Sequence, residues 1–258
     1  MFKRSGLFRK FRSQVEAEVS EANGIRSLYL GSPTVQSSMR IQDPYALILD
    51  YTKAMMSFLL FQDSVDSVSC VGLGAGSLLK FIWKNMPNTQ ITAIEKRADV
   101  INIARNYFFL PEDDSRLTVI HEDGLVWVDK DSESDVILLD AFDGSGTPSG
   151  FFEESFVQKT RSRLTGNGIF IQNLWTNDPL FHKRISLVED YFDRVILAPT
   201  PKGRNIALLG FCKAPPAARL NKLTKISKQL DKKFGLGFQE MLGRMRSRQS
   251  SISKKLDF

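Results

Sequence analysis

The chain has 258 residues, 42% hydrophobic and 25% charged, with a formal charge of +6. That length can bury a substantial core, and the composition is ordinary for a globular protein. The most apolar helical run, 54–61, is too short to cross a bilayer, and the basic N-terminus lacks the apolar stretch of a signal peptide, so no transmembrane segment is expected.

Charge is unevenly placed. Residues 1–12 hold five Lys/Arg and no acid, and 213–258 hold twelve Lys/Arg against three acids, so the centre is acidic. The stretch 1–13 reads as a basic tail. Basic termini suggest nucleic acid or an anionic surface only weakly, because no aromatics interleave with the cations. Residues 14–44 read as a β-hairpin region: Val15, Ala17 and Val19 alternate with polar residues, Asn23-Gly24 is a hairpin turn signal, and Gly31-Ser32-Pro33 turns again before Thr34–Met39. Asp43-Pro44 then predicts a helix from Tyr45 to Phe61, with proline at its first position.

From residue 66 the pattern alternates. Strands are predicted at 68–72, 91–95, 117–121, 136–140, 168–174, 194–199 and 205–212. Helices are predicted near 77–86, 97–109, 151–164 and 178–192. The strands are continuous Val/Ile/Leu runs, as in a parallel sheet covered on both faces. Leu164 to Gly168 reads as a helix stop and turn. The short Pro199–Gly203 connection forces a final antiparallel pair. The fold class is therefore α/β: a Rossmann-like, class I methyltransferase-like domain over 45–212, with seven mostly parallel strands and a small N-terminal antiparallel appendage. A basic helical extension covers 213–258. In it Leu220, Leu223, Ile226 and Leu230 mark one amphipathic helix, a short second helix follows Gly237, and 246–258 is expected to fray.

Three groups carry chemistry. Gly72, Gly74 and Gly76 leave an apolar strand and enter a helix, letting backbone approach a ligand closely at a helix N-terminus. Glu95 ends the next strand about 20 residues on, where an acid can accept the ribose hydroxyls of a nucleoside. Asp140 ends the fourth strand and Asp143 follows three residues later, so both acids fall at the ligand edge, where they can hold an amine and take its proton. Asp123-Gly124 follows the third strand, where an acid can accept from an adenine amino group. Cys70 and Cys212 lie in apolar runs and read as buried free thiols, which suits a cytoplasmic location. His121 and His182 are far apart and no paired cysteines occur, so no metal is expected.

From Ile25 to Cys212 the chain resembles the spermidine/spermine synthase family of aminopropyltransferases. The resemblance rests on Val35-Gln36, Tyr45, the Gly72–Gly76 loop, Glu95, Glu122-Asp123-Gly124 and the Asp140-x-x-Asp143 pair. It implies Asp140 as general base on the acceptor amine, Asp143 as an anchor of that amine, Tyr45 at the acceptor site and Gln36 among the donor ligands. Two positions depart from the pattern. Ala75 stands where the family has an aspartate that holds the donor's amine, and Pro201 stands where it has a tyrosine lining the acceptor site.

The resemblance implies aminopropyl transfer from decarboxylated S-adenosylmethionine to a small-molecule amine or polyamine, with a homodimer as one compatible assembly. Two rivals stand beside it: a methyltransferase using intact S-adenosylmethionine, and a catalytically silent nucleoside-binding homologue. Loss of the acid at Ala75 removes a charge that would repel the methionine carboxylate, which favours the first rival. Restoring it as Ala75→Asp is expected to favour the decarboxylated donor.

Overall fold

The computed structural model describes residues 9–11, 17–130, 133–142 and 146–252. The chain opens with four strands, β1 (Arg9–Phe11), β2 (Ala17–Ala22), β3 (Ile25–Leu30) and β4 (Val35–Arg40), paired in that order as an antiparallel sheet. Asn23 (φ 53°) and Gly24 (φ 73°) close the β2–β3 hairpin with the two left-handed residues its turn requires. Inside the stretch read as a basic tail, Arg9–Phe11 instead adds an edge strand to β2.

The helix predicted from Tyr45 does not start there. Asp43 still bridges Arg40 in strand fashion, and the Ala46 N–H donates to the Asp43 carbonyl across a turn (3.2 Å). Helix α1 covers only Asp50–Met55 and continues as a 3₁₀ turn over Met56–Leu60. There follow β5 (Ser67–Val71), α2 (Ser77–Asn85), β6 (Gln90–Glu95), α3 (Ala98–Phe108), β7 (Leu117–His121), α4 (Gly124–Trp127), β8 (Ser134–Leu139), α5 (Glu154–Ser162), β9 (Leu164–Trp175), α6 (Phe181–Glu189), β10 (Arg194–Pro199) and β11 (Asn205–Phe211). The seven strands after β4 hydrogen-bond in the order β10-β11-β9-β8-β5-β6-β7. β6–β7 and β8–β9 are parallel, and β11 runs antiparallel to both of its neighbours. This is the predicted α/β architecture with its final antiparallel hairpin. The 164–168 segment differs from its expected turn. It is the bulged start of β9, with Ser134 opposite Leu164 but Val136 opposite Ile169, so the extra residues are absorbed within the strand.

Two compact units emerge from the contacts. One draws on Met1–Leu49, Val68–Lys130 and Asp140–Phe151; the other on Asp50–Ser67, Asp131–Leu139 and Phe152–Phe258. The second unit carries the basic C-terminal helices α7 (Ala217–Leu220), α8 (Leu223–Phe234) and α9 (Phe238–Ile252). The predicted short last helix is 15 residues long. Asp231 caps it, accepting the Phe238 and Gln239 amides (2.5 and 3.0 Å). Phe238 and Met245 are fully buried, and each such side chain contributes about 1.5–3 kcal/mol. That burial holds the helix well into the stretch expected to fray, of which 253–258 lie outside the described residues.

In the first unit Ala17, Val19, Leu28, Leu30 and Met39 of the antiparallel sheet form one core with Ala75, Val100, Ile103 and Phe108. Lys80 of α2 is fully buried beside it. Its Nζ donates to the Phe108 carbonyl (2.6 Å), an end carbonyl of α3 that has no partner within the helix, and lies 3.3 Å from Met39 Sδ. Burial lowers the Lys80 pKa from 10.5 to about 7. Between those values the unfolded chain binds the extra proton, so stability rises with pH across that window, by at most about 1.4 kcal/mol per pH unit. Urea unfolding at pH 7 and pH 9.5 is expected to show this rise in the wild type and a flatter profile in Lys80→Met.

Candidate active site

The site is built within the first unit, where β5, β6 and β7 end and where the chain resumes at Asp140. Backbone bonds hold these ends side by side: Gly72 N to Ile94 O (2.9 Å), Glu122 N to Glu95 O (3.0 Å) and Asp140 N to Val71 O (2.9 Å). Gly72 sits at φ +94°, and a Cβ there would lie 2.5 Å from the Asp140 carbonyl oxygen and 2.9 Å from Ala141 Cα. Only glycine lets the two chain crossings touch, so Gly72 fixes where Asp140 leaves β8. Gly76, at φ +70°, is the N-cap of α2 and fits against Leu110.

Glu95 serves the loop. Its Oε2 accepts the Leu73 amide (3.0 Å) and its Oε1 the Arg97 amide (2.9 Å). Burial raises its pKa, against these two bonds and the Arg97 charge. A carboxylate has about four lone-pair positions, so these two bonds leave acceptor capacity unused. Asp123 caps α4 through the Leu125 amide (3.0 Å) and pairs with Lys96 (2.6 Å). Partial burial pushes its pKa up, but the Lys96 and Leu125 bonds outweigh it and the carboxyl stays below its ordinary value. Gly124 is needed for packing, since a Cβ there would collide with Val71 Cγ1. The Cys70 thiol, hydrogen-bonded to the Gly72 carbonyl (3.4 Å), has its pKa pushed far up, first by burial and then by the charges of Asp140 and Glu95. It stays protonated, which removes it as a nucleophile.

The structure thus brings Gly72, Gly74, Gly76, Glu95, Asp123, Gly124 and Asp140 to one sheet edge. Gln36 is half-buried on β4, next to Ser37, whose hydroxyl touches the glycine loop. The ring of Tyr45 stacks on Trp83 (6.0 Å) in the last turn of α2, under Lys84 (5.3 Å). The turn at Asp43–Ala46 places it there, in lieu of the predicted helix start. Asp143 lies outside the described residues. The side chain of Ala75, fully buried, belongs to the apolar core of the first unit. In the second unit, Gln172 of β9 was not singled out by the sequence reading. It pairs in register with Leu139, which immediately precedes Asp140, and its buried Nε2 has no protein partner among the described residues. A buried donor of this kind is normally satisfied by an ordered water or another polar group. The available signal was a glutamine inside the apolar run Ile169–Leu174. Among the described residues no group of three or more His, Cys, Asp or Glu is placed to hold a metal, and no helix is long and apolar enough to cross a membrane.

A glycine loop, an acid after the second strand and an acid after the fourth, on this sheet order, define a nucleoside-dependent transferase site. The spermine/spermidine synthase domain profile matches residues 48–200. The polyamine aminopropyltransferase of Neisseria meningitidis serogroup A is 37% identical over 235 residues, covering 90% of this chain and 89% of that protein. The chain belongs to the spermine/spermidine synthase family. A crystal structure of spermidine synthase in complex with the transition state analogue AdoDATO superposes with a TM-score of 0.74 at 18% identity, over 95% of this chain and 87% of that one. The eEF1A lysine and N-terminal methyltransferase of Xenopus laevis is 29% identical over 226 residues, covering 80% of this chain and 32% of that protein.

Gly72→Ala is expected to lose roughly 2–4 kcal/mol, because backbone cannot yield at the Asp140 carbonyl and φ is positive. Gly166→Ala, with nothing within 4 Å of the added carbon, is expected to stay within about 0.5 kcal/mol in the same denaturant titration. Ala75→Asp would bury an unpaired carboxylate among apolar side chains. A fall of about 2 kcal/mol or more in unfolding free energy is expected, in place of the gain in donor preference anticipated from the sequence.

Proposed function

We propose that the protein transfers the aminopropyl group of decarboxylated S-adenosylmethionine to a small amine or polyamine by direct displacement. The observation that carries this reading is Asp140, a carboxylate held by its own backbone at the tip of β8 against the glycine loop, in a chain of this family. Gly72–Gly76 and Glu95 would cradle the nucleoside, Glu95 on the ribose hydroxyls and Asp123 on the adenine amine. The acceptor nitrogen attacks the carbon bonded to the sulfonium sulfur. That C–S bond breaks, and methylthioadenosine leaves as a neutral thioether. An aliphatic ammonium has a pKa near that of lysine, about 10.4, so it must shed a proton before its lone pair can attack. Asp140 receives that proton as general base, and Asp143 anchors the amine. The activated sulfonium needs no further help, so alignment of the two reactants supplies most of the remaining acceleration. The two free cysteines, both buried, fit the cytoplasmic setting read from the sequence.

A second reading, methyl transfer from intact S-adenosylmethionine, is favoured by one observation. The chain is 29% identical over 226 residues to a protein named as a lysine and N-terminal methyltransferase.

Asp140→Asn keeps the shape but cannot take a proton. Aminopropyl transfer is expected to fall by roughly 10²–10⁴, the usual worth of a positioned base, with methylthioadenosine affinity retained. Retained transfer in that variant would remove Asp140 from the chemistry.

A further inference from the structure

Between Gly72 and Gly76 the loop amides are almost all spent on the protein itself. Gly72 N–H goes to Ile94 O, Leu73 N–H to Glu95 Oε2, and Gly76 N–H back to Leu73 O. Ala75 N–H donates to Ser37 Oγ (3.1 Å), a buried bond reaching in from β4. Gly74 N–H alone in this run has no acceptor among the described residues. The trans peptide joining Gly74 to Ala75 is therefore oriented from outside the loop, with its N–H toward β4 and its carbonyl directed away. The fit is close as well, since a Cβ on Gly74 would stand 2.6 Å from Ser37 Oγ. β4 is itself pinned. Ser38 and Ser27 share a cross-strand hydroxyl bond (2.9 Å), and Met39 meets Lys80 of α2.

We infer that Ser37 is a positioning residue for the nucleoside donor: by accepting the Ala75 N–H its hydroxyl fixes the 74–75 peptide, and with it the loop conformation that leaves the neighbouring Gly74 N–H, in the 73–74 peptide, open to the ligand. This rests on the nucleoside-binding role given to the loop under the proposed function. Without the hydroxyl, a buried N–H loses its acceptor, and glycine's freedom at 74 lets the peptide rotate to find another. The donor should feel this, and the acceptor should not.

The test uses the full chain and calorimetric titration of methylthioadenosine and S-adenosylhomocysteine, with denaturant unfolding alongside. Ser37→Ala is expected to weaken nucleoside binding about tenfold and to raise the donor KM with acceptor KM unchanged. Ser27→Ala, which removes the neighbouring hydroxyl pair, is expected to lower stability without moving nucleoside affinity. Gly74→Ala should be less damaging in the Ser37→Ala background than in the wild type, because the 2.6 Å encounter is gone. Unchanged nucleoside affinity in Ser37→Ala, or equal loss in Ser27→Ala, would overturn the assignment of Ser37 alone. A wild type that binds neither nucleoside would overturn it together with the proposed function.

Discussion

The site depends on a contact between two stretches of main chain. At the ends of β5 and β8 the backbone of Gly72 lies so close to that of Asp140 and Ala141 that a single added carbon would sit 2.5 Å from a carbonyl oxygen. Contacts of this kind do not relax by changing a rotamer. They set the distance between the glycine loop and the Asp140 carboxylate, which is the distance the proposed alkyl transfer must control. The Asp140 N–H bond to Val71 O closes the same crossing from the other side.

Around that contact the loop is held by groups that lie far apart in sequence. Glu95 takes one loop amide and Ser37 another, and each belongs to a different sheet. The small antiparallel sheet is thus part of the glycine loop's framework, joined to it by the apolar core that includes Ala75. The same burial explains why Ala75 is a structural residue here. Its methyl group fills a place where a carboxylate would have no partner.

Much of this was legible in the sequence, for identifiable reasons. Strands buried on both faces leave continuous β-branched runs, and those of the large sheet were found within a few residues. Asn23-Gly24 named its own turn type. The glycine spacing and Glu95 located the loop, because few residues tolerate those backbone angles. What was missed depends on tertiary contacts. Pro44 suits a helix start, yet the Asp43 bridge to Arg40 kept the chain extended and the helix begins only at Asp50. The glycines at 166 and 168 signal a turn, but pairing with β8 drew them into a bulged strand. The Arg/Ser-rich end looks solvated until Phe238 and Met245 are seen to be buried. Ser37 and Gln172 are ordinary letters in the sequence, and their partners, or lack of partners, exist only in the fold.

The central claim is the identity of the transferred group, and product analysis tests it most directly. The purified protein would be given decarboxylated or intact S-adenosylmethionine with a panel of diamines and polyamines, and the nucleoside product identified by mass spectrometry. Aminopropyl transfer predicts methylthioadenosine with an aminopropylated amine, formed from the decarboxylated donor. S-adenosylhomocysteine formed from the intact donor, with no methylthioadenosine from the decarboxylated one, would contradict it and establish methyl transfer instead.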